Sequence, residues 1–190
     1  MQIVDPLVSR SKFGESVERF IQVEKVQRVR GISLLKAEFP DIYLQFAAPQ
    51  LTPPPIMFTI CFNFDNYDLE PISVRFVHPF TLQPLPQSPF GMVRAVANAF
   101  GVKEMMNLIQ QDPGGPPFLC IPGTREYHRH PAHTGDDWLL HRNKGGEGTL
   151  GFLVDKIYEF GVSAVAGYQV TIQAQIPAVG IALDINKVPT

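Results

Sequence analysis

The segment PPFLCIPGTREYHRHPAHTGDDWLLHR, residues 116–142, concentrates the reactive side chains: four of the five histidines, one of the two cysteines and the only tryptophan. Two chemistries use such a set. Cys120, Glu126, His128, His130, His133 and His141 are all zinc donors, and zinc takes four ligands in a structural site or three plus water in a catalytic one. The spacing supports this only in part, since neither a C-x-x-C pair nor an H-E-x-x-H helix is present. His128 and His130 would share one face of an extended segment, and Pro131 keeps the run out of a helix interior. A metal site here would need residues converging from several turns.

The second chemistry is nucleophilic. Cys120 follows an apolar pair and precedes Ile-Pro-Gly, where a strand runs into a loop, and a loop on a rigid scaffold leaves a sulfur open to a partner. A neighbouring imidazolium or Arg125 would lower the thiol pKa. One histidine would act as general base on an incoming amine, with Glu126, Asp136 or Asp137 orienting it. The plain alternative is an inert thiol among loop histidines, one or two of them held by Asp136 or Asp137. Cys61, inside an apolar strand, is expected to pack as a small hydrophobe.

The elements that must position these residues are legible from periodicity. Residues 12–30 place Phe13, Val17, Phe20, Ile21 and Val26 at helical spacing, which predicts a first helix stopped at Gly31. Residues 33–48, 55–68 and 72–79 alternate as strands of an antiparallel meander. Residues 88–111 open with Ser88 as N-cap and Pro89 at the first helical position, and predict a helix that restarts after Gly101 with Met105, Met106, Leu108 and Ile109 in the core. Thr149 caps a second major helix within 146–162, and alternation at Tyr168, Val170, Ile172 and Ala174 predicts a last strand ended by Pro177. The fold class is α+β: a terminal helix, a small antiparallel sheet and helices packed on one side.

At 190 residues and 45% hydrophobic content the chain suits one domain with a sizeable core. Sixteen Lys and Arg against 18 Asp and Glu leave a net charge of −2, so no broad field attracts nucleic acid or an anionic membrane. The first residues carry no basic stretch followed by an apolar core, and no apolar run is long enough to span a bilayer. A cytoplasmic protein is therefore expected, with both cysteines reduced. Eighteen prolines cluster at 49–55, 79–89 and 113–117 and mark connections between elements.

The order of these elements resembles the ubiquitin-conjugating enzyme fold. FTICFNFDNYDLEPISVRFVHP, residues 58–79, is similar to that family's third strand, its Y-x-x-x-P turn and its fourth strand, through Tyr67, Pro71, Val74 and Phe76. FLCI corresponds to the catalytic cysteine and its flanks, Trp138 to the tryptophan that follows it, and TLGFLVDKIYEF to the next helix. The resemblance spans roughly residues 10–162 and implies a single domain over 1–190, with an insert at about 80–117 and a divergent strand region after about 162. More narrowly, C-x5-E-x-H-x-H-P-x-H-T-G-D-x-W-x-L-H-R resembles a bacterial group found beside ubiquitin-like modifiers, activating enzymes and JAB-type peptidases. That group is described both as a Cys/Glu/His/His metal-binding domain and as divergent conjugating enzymes, some of them antiphage.

The resemblance implies a conjugating enzyme. An activating enzyme would hand a ubiquitin-like modifier to Cys120 as a thioester, and an amine of a protein target would then take it. His133 or His128 would act on the amine or carbonyl, and Glu126 would orient the imidazole. Trp138, His130 and Asp136 would bind substrate. No cofactor is then needed. The alternative is a non-catalytic module holding zinc through Cys120, Glu126, His128 and His133, with His130 competing for His128's place; a zinc hydrolase ranks last. The His-Pro-Asn of eukaryotic members is absent, HPF standing at 78–80, so oxyanion support would come from backbone N–H groups around Gly123 or from a histidine.

Overall fold

The computed structural model describes residues 5–88, 91–97, 103–142 and 144–167. Helix α1 (Pro6–Gln22) starts earlier than periodicity predicts because Asp5 caps it, its carboxylate accepting the Leu7 N–H at 2.9 Å, with Pro6 at the first helical position. The helix breaks at Val23 and resumes as α2 (Glu24–Val29). It stops as expected at Gly31, whose φ of +82° turns the chain into the sheet.

Residues 33–48, expected as one strand, form a hairpin: β1 (Ile32–Glu38) and β2 (Asp41–Ala47), antiparallel and joined through Pro40. Strands β3 (Ile56–Asn63) and β4 (Ser73–Val77) continue the meander. Among the described residues of 88–111 there is no helix where one was predicted. In its place stand β5 (Val93–Ala97), β6 (Lys103–Asn107) and β7 (Ile109–Gln111), followed by β8 (Pro117–Leu119). The main sheet runs β1-β2-β3-β4-β8-β7, and β5 with β6 makes a separate two-stranded sheet.

Pairing across the chain explains the change of state. The N–H of Leu108 donates to the Met92 carbonyl, and the Leu108 carbonyl accepts the Cys120 N–H, both at 2.7 Å. Met92 and Leu108 are fully buried. Helix propensity is a weak prior that such long-range bonds and burial override. Of the four residues assigned to the core of that helix, Leu108 and Ile109 are buried, whereas Met105 and Met106 face solvent.

The core face of the sheet reads directly from register. Ile42, Leu44 and Phe46 lie opposite Phe62, Ile60 and Phe58, and Phe62 and Ile60 in turn lie opposite Val74 and Phe76 on β4. Helix α5 (Leu150–Tyr158) brings Leu153, Val154 and Ile157, and α1 brings Phe13 and Phe20, into the same apolar cluster. Thr149 caps α5 as expected, accepting the Phe152 N–H at 3.3 Å. A π-helical turn, Glu159–Ser163, follows, with Gly161 packed closely against Met92 and Phe58, where a Cβ would come 2.6 Å from Met92 Cε. The strand expected near 168–174 and its stop at Pro177 lie outside the described residues. No helix among the described residues is long and apolar enough to cross a membrane.

Between β8 and α5 run three short pieces: α3 (Arg125–Arg129), a 3-10 turn (Pro131–His133) and α4 (Trp138–His141). They are held against the sheet by a close approach of two glycines. A Cβ on Gly123 would come 2.5 Å from the Gly148 nitrogen, and one on Gly148 would overlap the buried Trp138 ring. Both have positive φ, +91° and +73°. Gly148→Ala is expected to combine left-handed strain with overpacking and lower stability by about 2–4 kcal/mol in urea unfolding. A loss below about 0.5 kcal/mol would show that the contact gives way easily.

Candidate active site

Cys120 stands at the end of β8, where strand becomes loop, as the sequence predicts. The residue is only 6% exposed and lines a cavity of about 330 Å³ together with Leu108, Ile121, Tyr127, His133, Glu147 and Phe152. The loop is stiffened by Thr124, which is fully buried. Its hydroxyl is shared between the Leu119 and Ile121 carbonyls at 2.9 Å and accepts the Tyr127 N–H at 3.3 Å, capping α3. Pro131 then forces the chain into the 3-10 turn that returns His133 to the cysteine.

His133 Nε2 lies 3.2 Å from Cys120 Sγ. The imidazole stacks on the Tyr127 ring, centroids 3.8 Å apart and planes at 22°, which sets its orientation. Burial pushes the Cys120 thiol above its ordinary pKa, and burial, then the nearby His130, pushes the His133 imidazole below its own. Both shifts favour the neutral forms, a protonated thiol beside an uncharged imidazole, and with the ring hydrogen on Nδ1 the S–H donates to Nε2. The lowering of the thiol pKa expected from imidazolium or Arg125 is not seen, the shift running upward. The Arg125 guanidinium bonds the carbonyls of Pro71, at 3.1 Å, and Asp65, and sits 3.8 Å from Glu70.

The other histidines have different duties. His128 Nδ1 is 2.7 Å from the Asp136 carbonyl, which can only accept, so that nitrogen carries the hydrogen and Nε2 accepts the Gly123 N–H at 3.0 Å. His128 therefore ties the loop rather than serving the thiol. It also occupies the Gly123 N–H that was expected to support an oxyanion. His130 Nδ1 accepts the Ala132 N–H at 3.2 Å, Nε2 is 3.6 Å from Asp112, and the ring lies 5.8 Å from that of His133. His141 bridges two carboxylates: Nε2 pairs with Asp136 Oδ1, and Nδ1 lies 3.5 Å from Glu147 Oε1.

The carboxylates also part ways. Glu126 turns to β4, accepting from the Ser73 hydroxyl and from the Val74 N–H at 3.1 Å, so it does not orient an imidazole. Asp137 caps α4 through the Leu139 N–H at 2.8 Å. Asp136 accepts the Tyr127 hydroxyl at 2.7 Å; that bond, with His141 beside it, holds its carboxyl below the usual range. Asp136 thus acts on His133 at one remove, by fixing the ring beneath it. Trp138 is a buried wedge, its indole N–H donating to the Asp68 carbonyl at 2.9 Å, and does not line the thiol cavity. Cys61 is buried as expected; its thiol donates to Asp41 Oδ1 at 3.3 Å, and burial and that charge push its pKa up to about 12.

The four residues that the resemblance offered as zinc ligands do not converge, since Glu126 is bonded to β4 and His128 to the Gly123 N–H. Among the described residues no three His, Cys, Asp or Glu side chains are grouped to hold a metal ion. Two members of the site escaped sequence reasoning. Tyr127 carries no donor pattern of its own, though an aromatic between Glu126 and His128 was a signal. Glu147 is a lone acid in the glycine loop KGGEG, a position that reads as a solvated turn.

The fold and site define an α+β protein with a buried cysteine beside a half-buried histidine at the end of a sheet strand. The chain belongs to the Y4jH family, whose model matches residues 4–165. It is 40% identical over 191 residues to the uncharacterized protein y4jH of Sinorhizobium fredii (strain NBRC 101917 / NGR234), 93% of each chain being covered.

Two measurements check this assignment of roles. The rate of Cys120 alkylation should rise with pH through a midpoint above the value of about 8.5 of a free thiol, because burial disfavours the reactive thiolate. A midpoint below that value would mean an activated thiolate at rest. Glu126→Gln should lower stability by about 1–2 kcal/mol, since it weakens charge-assisted bonds to β4. It should leave the Cys120 alkylation profile unchanged; a shifted profile would return Glu126 to the thiol site.

Proposed function

We propose that the protein transfers an acyl group through Cys120, as a conjugating enzyme for a ubiquitin-like modifier. In this reading an activating enzyme delivers the modifier's C-terminus as a thioester; the Cys120 thiol attacks its carbonyl as His133 takes the thiol proton, the bond to the activating enzyme's sulfur breaks, that sulfur leaves as a thiol with the proton returned from His133, and the modifier is held on Cys120 as a new thioester. An amine of a protein target then attacks that carbonyl. The C–S bond breaks as the C–N bond forms, and His133 carries the proton from nitrogen to sulfur. The setting is cytoplasmic, and antiphage defence is the role that the resemblance suggests.

The observation that carries the reading is the 3.2 Å approach of Sγ to Nε2 between two residues that line one cavity. The resting protonation supports it further. A thiol held above its ordinary pKa is a poor leaving group, so its thioester resists hydrolysis until His133 supplies a proton at the moment of transfer. The apolar lining, Leu108, Ile121 and Phe152, suits a slender aliphatic or glycine-ended tail and keeps bulk water from the carbonyl.

The test uses a synthetic peptide thioester ending in glycine, with intact-mass spectrometry as the readout. Wild type should gain one peptide through a bond cleaved by hydroxylamine, Cys120→Ser should retain it as a longer-lived oxyester, and Cys120→Ala should gain none. An adduct of equal amount on the Ala variant would end the proposal. Elemental analysis of the same preparation decides the alternative: stoichiometric zinc that disappears in Cys120→Ser would make the cysteine a ligand and the protein a zinc-stabilised recruiting module.

A further inference from the structure

The cavity that holds Cys120 carries one charge that its surroundings do not answer. Lys156, on its wall, is paired with Glu159 at 2.8 Å. Glu147 keeps its buried Oε1 toward His141, whose Nδ1 lies 3.5 Å away. Burial pushes the His133 imidazole toward its neutral form. Arg94 is left: it lines the same cavity, is open to solvent, and makes no ion pair among the described residues.

The fold turns Arg94 to the cavity. On β5 it stands directly opposite Met106 on β6, and opposite residues of an antiparallel pair project from the same face. Met106 lines the cavity as well, so that face of the two-stranded sheet forms one of its walls. Leu108 fixes the sheet beside the thiol. Its N–H donates to the Met92 carbonyl, just before β5, and its carbonyl accepts the Cys120 N–H, both at 2.7 Å. The element that carries Arg94 is thus bonded to the cysteine itself.

The rest of the wall is largely apolar, with Ile121, Phe152 and Phe160 beside Leu108. An apolar space with a single unanswered cation suits a ligand with an apolar body and a single negative charge. The second charge of a phosphate would go without a counter-ion where water is scarce, which costs free energy. A carboxylate carries one charge, and its two oxygens match the planar fork of a guanidinium.

We infer that the Cys120 cavity selects substrates that carry a carboxylate, which Arg94 binds while the reacting carbon meets Sγ. The anion site stands on the cavity alone; its use in holding an acyl group during transfer to Cys120 rests on the acyl-transfer reading. The carboxylate belongs to a small acid or to an acidic side chain next to the terminal glycine of a peptide tail. No proton or electron moves at Arg94.

Iodoacetate and iodoacetamide test this, because they share a shape and differ by one charge. Each loses iodide as Sγ bonds to its methylene carbon. Rates at Cys120, set apart from Cys61 by peptide mass mapping, are measured in wild type, Arg94→Ala, Arg94→Lys and Arg94→Glu. The readout is the ratio of the iodoacetate rate to the iodoacetamide rate, in which any change of thiol pKa cancels. The ratio should fall about 3- to 10-fold in Arg94→Ala, fall further in Arg94→Glu and stay near wild type in Arg94→Lys. Added salt should lower it in wild type. Equal ratios in wild type and Arg94→Ala would overturn the inference. A fall as large in Arg94→Lys as in Arg94→Ala would do so too, since it marks packing and not charge. Should Arg94→Ala not fold by thermal melting, Arg94→Gln reads the same ratio.

Peptide thioesters ending in Glu-Gly and Gln-Gly separate the two sources of the carboxylate. Faster charging by Glu-Gly that disappears in Arg94→Ala assigns it to a peptide tail. Equal charging by both, with the alkylation ratio still dependent on Arg94, assigns it to a small acid. Failure of both peptides to charge wild type would remove the acyl-transfer reading and leave the anion site to stand on the alkylation ratio.

Discussion

The site depends on the contact of two backbones that carry no side chain. Gly123, three residues after the cysteine, meets Gly148, at the entrance of α5, at a distance no Cβ allows. Because they meet, the cap of α5 lies against the cysteine loop, Trp138 closes over Gly148, and Glu147 is carried to the cavity wall. The α5 face buried on the sheet and the chemistry at the sheet's edge are thereby one packing problem. A change on either side of the glycine pair reaches the thiol.

Around that contact the histidine segment is a division of labour. His128 and Thr124 satisfy the polar groups of the loop, Asp136 and Tyr127 present a flat ring, and only His133 rests on that ring within reach of sulfur. Buried polar groups must be paired, so most of the donors that looked available for a metal are committed to backbone or to one another. The thiol–imidazole pair left over is neutral at rest, since burial opposes charge on both partners. Such a pair waits for a substrate before it moves its proton.

What was visible in advance, and what was not, follows from the range of the interactions involved. The meander, α1 with its stop at Gly31 and α5 with its Thr149 cap show themselves because period and capping are local. Residues 88–111 mislead for the opposite reason: their spacing suits a helix, but Met92 and Cys120 offer Leu108 backbone partners at a range that helix periodicity does not read. The hairpin at Pro40 was missed because apolar residues continue on both sides of the turn.

By itself the sequence determined the fold class, the placing of Cys120 where strand meets loop, and the small set from which its partner had to come; these rest on residue type and on neighbours a few positions away. Tertiary structure alone decided among them. It chose His133 over His128 and His130, sent Glu126 to β4, and brought Glu147 from 27 residues further along the chain. The physical reason is that a side chain's role is set by which acceptor or donor it meets when water is excluded, and those meetings are made by the packing of β8, α3 and α5. Six polar donors in one short run carry equal promise as a string of letters, and burial distributes them.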